Sequence, residues 1–194
     1  YQRIFQAICY MLTQTIGFIG AGQMARALAR GFVTAGLVGG EKIVAFDPVA
    51  AAASGFSAEV PGTAIAKSNS EVATRSQVIF LAVKPQSMQT VMSELAGKVA
   101  ADKLFVSIAA GITLGKLGDG LKTQRIIRVM PNTPALVGQG ASAFALGPGA
   151  TAEDSELIGK LLGAVGKAFA VDEKLLDAVT GLSGSGPAFV YVMI

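Results

Sequence analysis

IGFIGAGQMARAL, Ile16 to Leu28, runs from an apolar segment through two glycines into a helix-forming segment. A chain places glycine where a strand becomes a helix when the backbone must bend tightly or when something must approach it closely. Gly20, Gly22 and Ala25 form a G-x-G-x-x-A pattern. The first glycine permits the turn. The second removes a Cβ from the path of a pyrophosphate, and the small third residue lets the helix pack close to the sheet. The helix N-terminus adds free N–H groups and a partial positive charge. No lysine follows as in a P-loop, which disfavours a nucleoside triphosphate. In a chain with 24 glycines the pattern alone is weak. Its setting, after a strand, before a helix and ahead of a second strand that ends in an acid, points to a dinucleotide.

Outward from that stretch, strand and helix alternate. Gln23 to Ala35 is predicted as a helix, with Met24, Leu28, Gly31, Phe32 and Ala35 on one face and Gly36 as a left-handed stop. KIVAFD, Lys42 to Asp47, is the second strand, ended by Pro48. Pro61 and Gly62 mark a turn, TAIAKS is a short strand, and NSEVATRS opens a helix capped by Asn69 or Ser70. QVIFLAV, Gln77 to Val83, is almost continuously apolar, the mark of a strand covered on both faces. Pro85 suits the first turn of a helix reaching about Ala96. Further strands are predicted at Lys103 to Ala109 and in QRIIRVMPNTP, GASAFALG and KAFAVD, with a helix capped by Thr151 and ending near Gly166. This alternation implies parallel pairing and right-handed crossovers, hence an α/β fold with a doubly wound, Rossmann-type sheet.

The 194 residues, 52% apolar and 15% charged, suit one domain plus part of another around a sizeable core. A net charge of +3 without a block of like charges fits small anionic ligands and is too diffuse for nucleic acid. The chain has no histidine and one cysteine, Cys9. That excludes a Ser-His-Asp triad, His-ligated metal and a thiolate cluster, so no metal site is expected. No apolar run reaches the roughly 18 to 20 residues that span a bilayer, and no membrane partner is expected. A single cysteine suits a reducing compartment, and a cytoplasmic protein is expected. Residues 1–14 are read as an N-terminal extension without a signal-peptide shape; Met11 is a natural start, and residues 1–10 are either an upstream extension or an ordinary tail.

In such sheets ligands bind beyond the carboxyl ends of the strands. Two readings are open for Asp47. Its carboxylate accepts hydrogen bonds from an adenine ribose, repelling a 2′-phosphate and favouring NADH over NADPH, or it caps the turn before Pro48. Ala82-Val83-Lys84-Pro85 offers small residues, one cation and a rigid turn, with Lys84 either a ligand contact or a solvated lysine at a helix start. Ile108-Ala109-Ala110-Gly111 offers backbone and room for a flat nicotinamide ring.

GFIGAGQMARAL, FLAVKPQ, SIAAGI, MPNTPALVGQGA and DAVTGLSGSGPAF, in this order and spacing, resemble the pyrroline-5-carboxylate reductase family from about Ile16 to the C-terminus. The resemblance implies a dinucleotide-binding Rossmann domain over 15–172 and, over 173–194, the start of an all-helical dimerisation and substrate domain. It implies reduction of the cyclic imine 1-pyrroline-5-carboxylate to L-proline by NADPH or NADH, the last step of proline biosynthesis, in a homodimer or larger homo-oligomer. It places the pyrophosphate at Ile19, Gly20, Ala21, Gly22, Gln23 and Met24, and the adenine ribose at Asp47 and Asn69. It places the nicotinamide beside Ala82, Val83, Lys84, Pro85, Ala109, Ala110 and Gly111, and the substrate near Glu173. The resemblance also implies that relatives preferring NADPH often carry a small or phosphate-tolerant residue where Asp47 stands.

A protonated imine carries the positive charge that hydride transfer removes, so a chain without histidine suffices to align the reactants and exclude water. No catalytic residue is assigned. The group that manages the amine proton is expected beyond Ile194, and the chain alone is expected to be incomplete as a catalyst. SGSGP, Ser183 to Pro187, is either a source of backbone N–H groups near the substrate or a hinge with Pro187 at a helix start. The apolar tail AFVYVMI predicts burial against a partner. Two alternatives stand beside this reading. One is a dehydrogenase of the β-hydroxyacid or prephenate type, for which Lys84 is the strand-end acid–base candidate. The other is a dinucleotide-binding fragment without turnover.

Overall fold

The computed structural model describes residues 12–193. Along them run β1 (Ile16–Ile19), α1 (Gln23–Thr34), β2 (Ile43–Phe46), α2 (Ala50–Glu59), β3 (Ala64–Ile65), α3 (Asn69–Arg75) and β4 (Val78–Leu81). Next come α4 (Pro85–Leu95), β5 (Leu104–Ser107), α5 (Leu114–Leu121), β6 (Ile126–Met130), β7 (Gly140–Leu146), α6 (Ala152–Gly163) and β8 (Gly166–Ala170), then α7 (Leu176–Val179) and α8 (Gly186–Met193). Most of the expected extension, residues 1–11, lies outside the described residues.

The strands form one sheet in the order β3-β2-β1-β4-β5-β6-β7-β8. β1 lies between β2 and β4, parallel to both, so the order reverses there and a crevice opens beyond the carboxyl ends of β1 and β4. Side chains alternate between two cores. Ile16, Phe18, Val78, Phe80, Leu104 and Val106 face one cluster with Leu28, Phe32, Phe56, Ile158 and Leu161 from α1, α2 and α6. Ile19, Ile79, Leu81 and Phe105 face the other with Val72, Met88, Val91, Leu95, Leu117 and Leu176 from α3, α4, α5 and α7. The period of two explains why β4 reads as continuously apolar: both of its faces are covered. Phe18 and Phe80 stack at 5.0 Å with an interplanar angle of 15°. Phe18 is fully buried, and truncating it to alanine removes about 3–5 kcal/mol.

Several expectations are corrected by the fold. β6 and β7 pair antiparallel, because their connection holds only a 3₁₀ turn, Thr133–Val137, too short to carry a crossover helix. α3 is capped by Ser68, whose Oγ accepts the Glu71 N–H at 3.1 Å, leaving Asn69 and Ser70 inside the first turn. α6 ends at Gly163, since Gly166 already opens β8. Two helices lie outside the expected elements. α2 is AAAASGFSAE, without a periodic pattern; α5 is LGKLGDGL, in which Leu114, Leu117 and Leu121 share one face but three glycines weaken the helix signal, and Thr113 anchors its N-cap. The cap at Thr151 forms as expected, a reciprocal pair of bonds with Asp154. Beyond β8 the chain makes a 3₁₀ turn at Glu173–Leu175, then α7, then a wide π turn over Thr180–Gly184. α8 starts at Gly186, which puts Pro187 in its first turn.

Candidate functional site

Hydrogen bonds continue the sheet past its strand ends and align the expected site segments along one edge. Gly20 N–H donates to Phe46 O and Ala82 N–H to Ile19 O, both at 2.8 Å, and Ile108 N–H donates to Leu81 O at 3.1 Å. Gly20 has φ +97°, and a Cβ there would stand 2.6 Å from Ala82 O, so only glycine permits this turn beside β4. Around the turn lies a cleft of about 900 Å³.

Seven of the expected residues line that cleft: Gly20, Gly22, Asp47, Asn69, Ala82, Val83 and Lys84. Ile19 and Ala21 are fully buried, Gln23 is exposed and Met24 half-buried at the start of α1. Pro85 faces a separate hollow between α4 and α5 with Met88, Met92 and Lys116. Ala109, Ala110 and Gly111 follow β5 at the same edge of the sheet but outside the cleft wall; Ala109 is buried and the other two are exposed. Glu173 lies elsewhere. Its carboxylate accepts the Leu114 N–H at 2.7 Å and pairs with the buried Arg128.

The wall also contains residues that sequence reasoning passed over: Phe46, Val49, Ala52, Ser68, Ser70, and from α4 Ser87, Thr90, Val91 and Glu94. Ser87, Thr90 and Glu94 recur at three-and-four spacing beside the buried Val91, a polar stripe that marks one face of the helix and was readable in principle. Asn69 Nδ2 donates to Glu94 Oε2 at 2.7 Å, which ties the start of α3 to this stripe.

A side chain at Gly22 would meet nothing within 4 Å, so this position opens directly onto the cleft. Gly22 is the N-cap of α1, no side chain caps it, and no acid stands in the first turn. The helix therefore presents its leading N–H groups and positive end to an anion. A diphosphate fits these features: there is free volume where a Cβ would otherwise stand, and unclaimed donors face it. Asp47 satisfies its capping reading through Oδ1, which accepts the Val49 N–H, and through Oδ2 it also holds the Ala21 N–H, both at 2.9 Å. Each carboxylate oxygen keeps a lone pair for a further donor. Lys84 and Lys98 supply positive charge along the same wall. Among the described residues no helix is long and apolar enough to cross a membrane, and no three His, Cys, Asp or Glu side chains lie together as a metal site.

Comparison with known proteins gives the chain its relatives. The family model described as "NADP oxidoreductase coenzyme F420-dependent" matches residues 15–111. Pyrroline-5-carboxylate reductase of Pisum sativum is 45% identical over 180 residues, 93% of this chain and 65% of that protein. The enzyme of the same name from Methanosarcina acetivorans is 43% identical over 185 residues, 95% of this chain and 68% of its own length. The crystal structure of Plasmodium falciparum pyrroline carboxylate reductase with NADP bound superposes with a TM-score of 0.82 at 30% identity, covering 94% of this chain and 67% of that one. The chain thus spans about two thirds of the length of the relatives it matches. The glycine turn, the AVKP corner and the cleft between them sit inside the matched region. The chain belongs to the pyrroline-5-carboxylate reductase family.

Proposed function

We propose that this protein reduces 1-pyrroline-5-carboxylate to L-proline with a nicotinamide dinucleotide, and that residues 15–172 form its cofactor unit and residues 173–194 begin a second, helical unit. The observation that carries the reading is the uncapped start of α1, open through Gly22 onto a cleft at the sheet's switch point in a chain of this family. Gly22, Gln23 and Met24 hold the diphosphate through backbone N–H groups at the positive end of α1. Asp47 and Asn69 face the adenine ribose, and Ala82, Val83 and Lys84 form the low wall beside the nicotinamide, with Ala109, Ala110 and Gly111 on the neighbouring loop. When bound, the nicotinamide supplies the hydride. NADP in the Plasmodium falciparum structure supports a nicotinamide cofactor; the Asp47 and Glu94 carboxylates in this wall support NADH over NADPH, because they oppose a 2′-phosphate.

The protonated imine is already electrophilic, so the protein's work is to align it with the cofactor and exclude water. Leu182, Phe189, Val190, Tyr191, Val192 and Met193 are exposed, which supports assembly into a homo-oligomer through this end of the chain. The lone Cys9 supports a reducing, cytoplasmic setting. Two measurements test the reading: NADH and NADPH binding to this chain, and 1-pyrroline-5-carboxylate-dependent oxidation of each cofactor by this chain and by a chimera completed with the unmatched part of the Pisum sativum protein. Binding to the chain with turnover by the chimera is expected. Absence of cofactor binding, or turnover of hydroxyacids instead of the imine, overturns it.

A further inference from the structure

Ala21, the middle residue of the glycine turn, is held by two side chains at once. Its N–H donates to Asp47 Oδ2 at 2.9 Å, and its carbonyl accepts from Arg26 Nε at 3.0 Å. Both side chains then reach on to α2. Asp47 Oδ1 accepts the N–H of Val49, the N-cap of that helix, and Arg26 Nη2 donates to Ala52 O at 3.2 Å. Arg26 Nη1 pairs with Glu59 at 3.2 Å, a carboxylate that also receives Arg30 at 2.9 Å, and the Arg26 side chain is only 16% exposed. The guanidinium lies against Gly55. A Cβ at residue 55 would stand 2.7 Å from Cζ, Nη1 and Nη2. A glycine inside a helix costs about 1 kcal/mol relative to alanine, and here its missing side chain is the space the guanidinium fills.

From this arrangement we infer that Arg26 is a positioning residue for the diphosphate: with Asp47 it clamps the Ala21 backbone and so presets the direction of the Gly22 N–H. The Ala21 carbonyl and the Gly22 N–H belong to one planar trans peptide and point in opposite directions. Arg26 holds the carbonyl toward α2, which leaves the N–H pointing the opposite way within the same peptide plane. All three guanidinium nitrogens of Arg26 are engaged, Nε by Ala21 O, Nη1 by Glu59 and Nη2 by Ala52 O. It therefore acts by geometry, through its rigid fork, which a lysine cannot reproduce. The inference rests on the cofactor reading of the cleft.

The test is NADH titration of the intact chain, followed by nicotinamide fluorescence, for the parent, Arg26→Lys, Arg26→Met and Gly55→Ala, with ADP-ribose as competitor and a thermal melt of each variant. All three variants are expected to bind NADH and ADP-ribose about tenfold more weakly, with Arg26→Lys no better than Arg26→Met. Gly55→Ala keeps the charge and displaces only the fork, so it decides the matter if Arg26→Met does not fold. Parent-like affinity in Arg26→Lys overturns the inference, because charge alone then suffices. A lowered melting temperature with unchanged affinity also overturns it, since the role is then structural only. If the parent binds neither NADH nor ADP-ribose, the cofactor reading falls and the clamp falls with it.

Discussion

The Glu173 carboxylate pairs with the buried guanidinium of Arg128 at 3.2 Å while accepting the Leu114 N–H at the start of α5 at 2.7 Å. Arg128 also pairs with Asp177 at 2.9 Å, and Leu176 between the two acids is fully buried. The segment after β8 is thereby latched to β6 and to the helix that follows the Ala109–Gly111 loop. Asn132 adds a second tie, donating from Nδ2 to Ser183 Oγ at 2.9 Å. Since Arg128 is nearly inaccessible, removing Glu173 leaves its charge compensated only by the exposed Asp177. Glu173→Ala is expected to cost about 2 kcal/mol in urea unfolding and to speed tryptic cleavage after the exposed Lys174 by freeing its backbone, and Glu173→Gln to cost about half as much, because its amide oxygen still accepts the Leu114 N–H. NADH affinity is expected to stay at the parent value. A Glu173→Ala variant as stable and as protease-resistant as the parent removes the latch.

The two glycines of the turn are expected to fail in different ways. Gly22→Val places its side chain in open cleft, so stability changes by no more than about 1 kcal/mol while NADH affinity drops by at least about tenfold. Gly20→Val forces a branched residue to φ +97° and against Ala82 O, and should lower stability by about 3 kcal/mol. Thermal melts and NADH titrations of both variants separate the outcomes. Equal loss of stability in the two contradicts the assigned roles.

Asp47 combines two backbone contacts with a place in the cleft wall, where we propose it faces the adenine ribose, and a single substitution can separate the two. Asp47→Ser removes a carboxylate from the cleft wall and frees the Ala21 N–H. The ratio of NADPH to NADH affinity is expected to rise by about tenfold, with an accompanying stability loss of about 1–2 kcal/mol from the two broken bonds. An unchanged ratio in paired titrations shows that this carboxylate does not set cofactor choice.

At the opposite end of the strands, Asp154 receives Arg125 in a two-pronged pair, 2.7 Å to Nη2 and 2.9 Å to Nε. Burial raises the Asp154 pKa, but the hydrogen bonds from Arg125 and from the Thr151 backbone, with the arginine charge, outweigh it and hold the carboxyl below its usual range. The bond to Asp154 raises Arg125 in return. A carboxyl depressed in the folded state contributes stability that is fully present above its unfolded pKa, about 3.9, and is lost as pH falls through the lower folded value. Asp154→Ala is therefore expected to cost about 3 kcal/mol at neutral pH, with the gap to the parent closing below about pH 3. Urea unfolding across that range checks it; a gap independent of pH contradicts the pairing.

The glycine turn, the sheet's central strands and the AVKP corner were all legible, because each is written in neighbouring residues: a missing Cβ, an apolar run, a proline with its fixed φ. α2 and α5 were not. Four successive alanines carry no amphipathic stripe, and in α5 three glycines, poor helix formers, mask the stripe of Leu114, Leu117 and Leu121; packing of Phe56 and Leu117 against the sheet holds the two helices. The antiparallel turn of β7 was hidden for a related reason. GASAFAL has strand character in either direction, and the brevity of its connection decides the pairing. The Ser87, Thr90 and Glu94 side of the cleft was periodic in the sequence, but nothing there said that this face would meet Asn69.

By itself the sequence determined a doubly wound sheet with an anion-receptive corner after its first strand, since short-range sterics and the two-residue and 3.6-residue periods act within a few positions of the chain. Only the tertiary structure decided what Asp47, Arg26 and Glu173 do. Their partners, Ala21, Ala52 and Leu114, are held at hydrogen-bonding distance by the packing of whole helices on the sheet, and a polar side chain's bonds follow from that placement.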